Sequence, residues 1–371
     1  MKNADTGTTT ALVLQGGGAL GAYQAGVYEA LAAADYAPNW IAGISIGAIN
    51  AAIIAGNAPD KRVERLRSFW DMTSSRVTTP SLFEGGFMRT WFNEISAGVV
   101  ATAGITGFFE PRMPPAAMCF PGTPEAISYY DASPLRQTML DLVDFDRINS
   151  GEVRLSVGAV NVLTGNFAYF DTQDREIGPE HIMACGALPP AFAPVIIDGE
   201  PYWDGGLVSN TPLQYVLDNR SDGDMTIFQV DLFSPRGTMP KTLADVTQRE
   251  KDIRFSSRTR LNTDIGKELQ RLRDAALRLT KKLPPELQDD ADAKLLSAHG
   301  HEGAVTIMHL INRGEAYETQ PKDYDFSRQT VNGHWDAGRA DVERSLHQKV
   351  WKVRHHHKSG IEAFDLVGDF A

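Results

Sequence analysis

The chain has 371 residues, of which 42 % are apolar and 22 % charged. That is the composition of a globular protein of two domains, or of one large domain with an appended one, and it excludes disorder as the main state. The 47 acidic against 36 basic residues leave a formal charge of -11, which argues against a general affinity for nucleic-acid phosphates.

Residues 1–8 are polar and read as a flexible N-terminus. No apolar stretch of signal-peptide length follows them, and no window approaches the eighteen apolar residues of a membrane span. A cytoplasmic protein is expected, with any membrane contact peripheral. Cys119 and Cys185 form neither a disulfide framework nor a zinc-knuckle spacing, and read as free thiols of a reducing compartment.

The first structured unit is α/β. An apolar strand at Ala11 to Leu14 runs into a glycine turn and then an alanine-rich helix from about Ala22 to Ala34. A second strand, Trp40 to Ile44, turns sharply at GISIG into the helix AINAAIIAG. Further strands are expected at Arg154 to Asn161, Phe167 to Asp171, Pro194 to Ile197 and Thr226 to Leu232, interleaved with helices as in a mostly parallel, covered sheet. Between Gly85 and Phe120 the aromatics Phe87, Trp91, Phe92, Phe108 and Phe109, with Met113, sit among glycines and prolines without a period. Residues 86–120 read either as a lid or acyl-pocket insertion or as an ordinary buried connection.

From Lys241 the chain becomes highly charged. Arg249 to Lys282 holds eleven Lys and Arg against five Asp and Glu. Leu261, Ile265, Leu269, Leu272 and Ala276 recur at helical spacing, so 249–282 is expected to be an amphipathic helix. Its cationic face could touch an anionic membrane or an acidic partner, or simply stay solvated. A strand at Ala304 to Ile311 and a helical stretch around Trp335 to Val353 follow.

Gly16 to Gly21, GGGALG, fits the dinucleotide pattern G-x-G-x-x-G, yet that use needs an acidic residue closing the second strand, and no Asp or Glu lies between Tyr36 and Ile54. The other use of such a turn is to aim backbone N–H groups at an acyl-transfer oxyanion. Gly43, Ser45 and Gly47 supply the matching G-x-S-x-G elbow, in which flanking glycines let a strained strand-to-helix turn expose the serine hydroxyl. None of the nine histidines falls in a recognisable catalytic position. The best base is Asp204, followed by Gly205 and Gly206, where the chain can turn and leave a carboxylate in a cleft, although an Asp-Gly pair is by itself only a turn signal.

GGGALG, GISIG and WDGG in this order resemble the patatin-like phospholipases, and the resemblance extends from about residue 9 to 215. The segments VTIMHLINR and KDYDFSRQTVNGHWDAGRADVERSL resemble the tail of a bacterial subgroup of that family. The resemblance implies a three-layer α/β sandwich over 9–235 with a mainly helical extension over 236–371. It implies Ser45 as nucleophile and Asp204 as base of a Ser-Asp dyad, an oxyanion hole made by Gly16, Gly17 and Gly18, support from Gly21, Gly43, Gly47, Gly205 and Gly206, and no metal or organic cofactor. The position before the last glycine of the turn, basic in many members, is Leu20. That favours a neutral ester, a thioester or a short hydroxyacid ester over a phosphate-bearing head group. The expected activity is hydrolysis of lipid or short-chain esters through an acyl-enzyme. The alternatives are a non-catalytic lipid-binding or partner-docking protein on the same fold, or an acyltransferase.

Overall fold

The computed structural model describes residues 9–75, 102–298, 303–313, 323–353 and 359–367. The expected residues Phe87, Trp91 and Phe92 lie outside this set.

A nine-stranded sheet organises the chain. Its main path runs β11 (Ser359–Asp365), β10 (Gly303–Ile311), β9 (Met225–Asp231), β1 (Thr9–Leu14), β2 (Trp40–Ile44), β5 (Arg154–Asn161), β8 (Glu200–Asp204) and β7 (Val195–Ile197), with β6 (Phe167–Asp171) paired to β5. From β11 to β5 every neighbour is parallel, whereas β6, β8 and β7 pair antiparallel. The two remaining strands, β3 (Glu110–Pro111) and β4 (Tyr130–Asp131), form a separate ribbon.

Helices cover both faces, so the parallel strands are apolar on both sides. Along β1, Leu12 and Leu14 enter the larger core with the helices α1 (Ala22–Ala33), α2 (Ile46–Ala55) and α3 (Arg62–Thr73), while Ala11 and Val13 join Trp40, Ile227, Val305 and the helix Leu213–Asp218 on the other face. This is the expected layered α/β sandwich.

The C-terminal region is mainly helical, as expected, and it is also part of this sheet. Besides β10 it adds β11, which the sequence reading did not foresee. The helix α4 (Leu243–Thr280) begins six residues before the expected Arg249. A capping box explains the early start: Thr242 Oγ1 accepts the Asp245 N–H at 3.1 Å and Asp245 Oδ2 accepts the Thr242 N–H at 2.9 Å. The apolar stripe expected along α4 is only partly covered, since Leu272 is 60 % exposed. The side chains of Leu261 and Ile265 lie outside the described residues.

The helix α5 (Arg328–His347) lies against α1 with its backbone almost in contact. Gly26 and Gly338 make this possible, because a Cβ on either would strike the facing helix at the Trp335 and Tyr23 carbonyls respectively. Tyr23 then donates to Asp341 at 2.6 Å and Trp335 to Glu29 at 2.5 Å. In the segment read as a lid or pocket insertion, Phe108 and Phe109 pack with Tyr130 and Phe192, while Met113 is 86 % exposed.

Candidate active site

The strand β5 sets Ser45 beside Asp204. One of its edges pairs with β6, at Ser156 to Val160. The other is shared in series: β2 runs along it until Ile44 faces Gly158, and the next residue of β5, Ala159, faces Asp204 of β8. Ser45 therefore leaves the end of β2 where Asp204 arrives at the end of β8.

The turn at Ser45 is sharp. Its φ is 55°, a region that a residue with a Cβ occupies at a cost of about 1–3 kcal/mol. The flanking glycines permit the packing that enforces it. A Cβ on Gly43 would strike the Gly47 carbonyl, and a Cβ on Gly47 would meet the carbonyls of Leu14 and Gln15 at 2.5 and 2.9 Å. The N-terminus of α2 is thus pressed onto the end of β1, with Ala48 N–H donating to the Ser45 carbonyl at 2.9 Å. Gly21 sits as closely against Ile46, and Gly205 against the Gly158 carbonyl.

The Asp204 carboxylate accepts the Gly206 N–H at 2.7 Å and has the Ser45 hydroxyl as a polar neighbour. Asp204 is 1 % exposed. Burial pushes its carboxyl up to about 7, against the opposing pull of the Ser45 hydroxyl and the Gly206 N–H. A carboxylate with that affinity is suited to proton transfer near neutrality. The neighbouring Cys185 thiol is wholly buried and pushed up by that burial, and then by the Asp204 charge, so it stays protonated.

The glycine turn lies on the same rim. The N–H groups of Gly17 and Gly18 meet no acceptor among the described residues, and Gly18, at φ 55°, lets the chain lie flat on the Asp323 carbonyl. Gly16 differs from the expectation. Its N–H is already given to the Asn210 carbonyl at 3.2 Å, and its carbonyl accepts the Asn210 side-chain amide at 2.9 Å. Gly16 is therefore the anchor of the turn, which leaves Gly17 and Gly18 as the available donors. Asn210, six residues beyond Asp204, ties the two motifs together and was not singled out in the sequence.

A buried network fixes the turn from behind. The Gln15 side chain accepts the Leu232 N–H at 2.6 Å and donates to Thr211 at 2.9 Å, while its carbonyl accepts Gln24 Nε2 at 2.6 Å. Asn50 donates to Gln24 at 2.9 Å and to the Gly21 carbonyl at 3.0 Å, and accepts from Trp70 at 3.1 Å. A fully partnered network of this kind rigidifies what it touches.

The cavity over Ser45 measures about 240 Å³ and is lined by Gly16, Gly17, Ser45, Asp204, Gly206 and Asn210 on one side. Residues of α4 and the pair Asp323 and Tyr324 line the other. No histidine lines it among the described residues.

A family model for patatin-like phospholipase matches residues 12–217, more than half of the chain, and therefore spans both Ser45 and Asp204. The chain belongs to the patatin-like phospholipase family. A second model, described as patatin phospholipase, matches residues 253–358, so the region carrying α4 and α5 is patatin-like as well. As a member of this family the protein is a hydrolase acting on lipid esters. Among solved structures it is similar to VipD from Legionella pneumophila, at 14 % identity and TM-score 0.34 over 89 % of this chain and 67 % of that one. It is also similar to the complex of SpcU with ExoU from Pseudomonas aeruginosa, at 17 % identity and TM-score 0.31 over 93 % and 72 %. Human GIVD cytosolic phospholipase A2, in complex with methyl gamma-linolenyl fluorophosphonate, follows at 12 % identity and TM-score 0.33 over 91 % of this chain and 59 % of that one. No curated protein matches the chain significantly. Among the described residues no helix is long and apolar enough to cross a membrane.

Proposed function

We propose that the protein hydrolyses carboxylic esters, of lipids or of short acyl and hydroxyacyl groups, through a Ser45–Asp204 dyad and an acyl-enzyme. The observation that carries this reading is the placing of the strained Ser45 beside a buried carboxylate of raised proton affinity. Asp204 takes the Ser45 proton as Oγ attacks the ester carbonyl, and the N–H groups of Gly17 and Gly18 receive the oxyanion. Collapse breaks the ester bond, and the leaving alkoxide takes the proton from Asp204. Water then repeats the sequence on the acyl-enzyme, with Asp204 accepting its proton and returning it to Ser45.

The acyl chain is assigned to a second cavity of about 220 Å³, lined by Phe108, Tyr130, Leu135, Met183 and Phe192. It adjoins the Ser45 cavity through the segment 186–188, since Gly186 and Ala187 line the one and Leu188 the other. In this reading the described part of the insertion, 102–120, contributes Phe108 and Arg112 to the acyl pocket. Peripheral contact with an anionic membrane is assigned to the outer end of α4, where Arg271, Leu272, Arg278 and Leu279 are all exposed.

Labelling with a fluorophosphonate followed by mass mapping tests the dyad. Modification is expected at Ser45, with loss of labelling and of ester hydrolysis in Ser45→Ala. Hydrolysis that persists in Ser45→Ala refutes the assignment.

A further inference from the structure

The helix α4 borders the Ser45 cavity with a polar stripe. Thr247, Glu250, Lys251 and Arg254 stand at i, i+3, i+4 and i+7, one face of an α-helix, and all four line the cavity with Phe255 beside them. Thr247, Glu250 and Arg254 are exposed and Lys251 is half-buried, so the face is open to solvent and brings side-chain charge to the space over Ser45. The glycine turn brings no cation of its own, because Leu20 is fully buried. Among the residues lining the cavity the cations are Lys251 and Arg254.

These two differ in what holds them. Lys251 Nζ is 2.7 Å from Asp323 Oδ1, with the side chains 22 % and 12 % exposed, and lies 5.0 Å from the centre of the Tyr324 ring. The pair joins α4 to the residue whose carbonyl touches Gly18, so it acts as a strut across the cavity. Arg254 has Glu250 at 3.9 Å, with the side chains 68 % and 61 % exposed. An exposed pair four residues apart contributes little, and an anion that meets the guanidinium fork with two oxygens displaces it readily.

We infer that the Thr247–Arg254 face of α4 is a subsite for a carboxylate or phosphate carried by the substrate, with Arg254 as the group that binds it and the Lys251–Asp323 pair as the strut that holds this face over Ser45. The inference rests on Ser45 being the nucleophile, and it narrows the substrate. Arg254 and Ser45 line the same cavity of about 240 Å³, so the anion lies on the part of the substrate that faces α4. Anionic esters are the class that fits.

Two matched pairs of esters test this: 3-butanoyloxybutanoate against its methyl ester, and dihexanoyl glycerophosphate against dihexanoyl glycerol. Released acid is titrated for wild type, Arg254→Gln, Arg254→Lys and Ser45→Ala. In at least one pair wild type is expected to favour the anionic member in kcat/KM by tenfold or more. Arg254→Gln should cut that ratio about 10- to 100-fold, mainly through KM, as removal of a hydrogen bond to a charged group does, and Arg254→Lys should fall between. The pair affected tells carboxylate from phosphate. Ser45-dependent turnover with the same ratio in wild type and Arg254→Gln overturns the subsite and leaves the dyad standing. Should no ester be turned over in a Ser45-dependent way, the dyad falls. Calorimetry on the Ser45→Ala protein with inorganic phosphate and with 3-butanoyloxybutanoate then decides the subsite. Heat abolished by adding Arg254→Gln supports it, and no heat with either probe overturns it.

Discussion

Replacing Asp204 by Asn should slow the enzyme and, above neutral pH, stabilise it. The carboxyl titrates at about 7 in the folded protein and near 3.9 in the unfolded chain. Between those values the folded state holds the extra proton, so stability falls as the pH rises through the window and remains at the lower level above it. A difference of about 3 units at 1.36 kcal/mol each puts the cost of ionising Asp204 in place at roughly 4 kcal/mol, an upper figure reached only above pH 7. Asn keeps the shape and a carbonyl for the Gly206 N–H but never ionises. Urea denaturation should therefore find Asp204→Asn more stable than wild type by about 2–4 kcal/mol at pH 8, with the gap closing toward pH 5. Ester hydrolysis by the folded variant should fall at least about a hundredfold, the contribution of a general base. In wild type, kcat/KM should rise with pH to a plateau above about 7, because the base must be unprotonated to accept the Ser45 proton. A stability gap that does not change with pH, or a variant less stable than wild type at pH 8, refutes the argument that burial raises this group.

Two further outcomes follow from the packing and the surface. Gly338→Ala should lower stability by about 1–2 kcal/mol in denaturant titration, because overpacking against the Tyr23 carbonyl outweighs the gain of about 1 kcal/mol in helix propensity. Arg271→Gln with Arg278→Gln should weaken co-sedimentation with anionic vesicles by up to about 30-fold at low salt, at about 1 kcal/mol per cation, and leave neutral vesicles unaffected. Equal binding to both vesicle types would reduce the outer end of α4 to a solvated surface.

Much of the fold could be read in the sequence because its signals are local. The apolar runs of β1, β2, β5 and β9 lie within single strands, and Gly43 and Gly47 mark the elbow by spacing alone. Asp204 was harder, since an Asp-Gly pair is first of all a turn, and only the order of three motifs raised it. The wall of the cavity was not legible. Lys251 and Arg254 come from a helix some fifty residues beyond Asp204, and nothing local says that this face turns toward Ser45. Asn210 was missed for a related reason: it acts through the backbone of Gly16, a partner set by tertiary register. The early start of α4 depended on Asp245 closing a capping box in which Glu is the usual signal.

The serial sharing of one edge of β5 has a consequence for how such an enzyme tolerates change. Ser45 and Asp204 are held at neighbouring rungs of a single hydrogen-bonded ladder, so their separation is fixed by strand pitch and owes little to the long stretch of chain that joins them. Insertions between Asn161 and Glu200, or in the segments around the second cavity, can reshape what the enzyme accepts while these two residues stay in place. A one-residue slip of β8 along β5 would do the reverse, carrying the carboxylate to the other face of the sheet and leaving every loop intact.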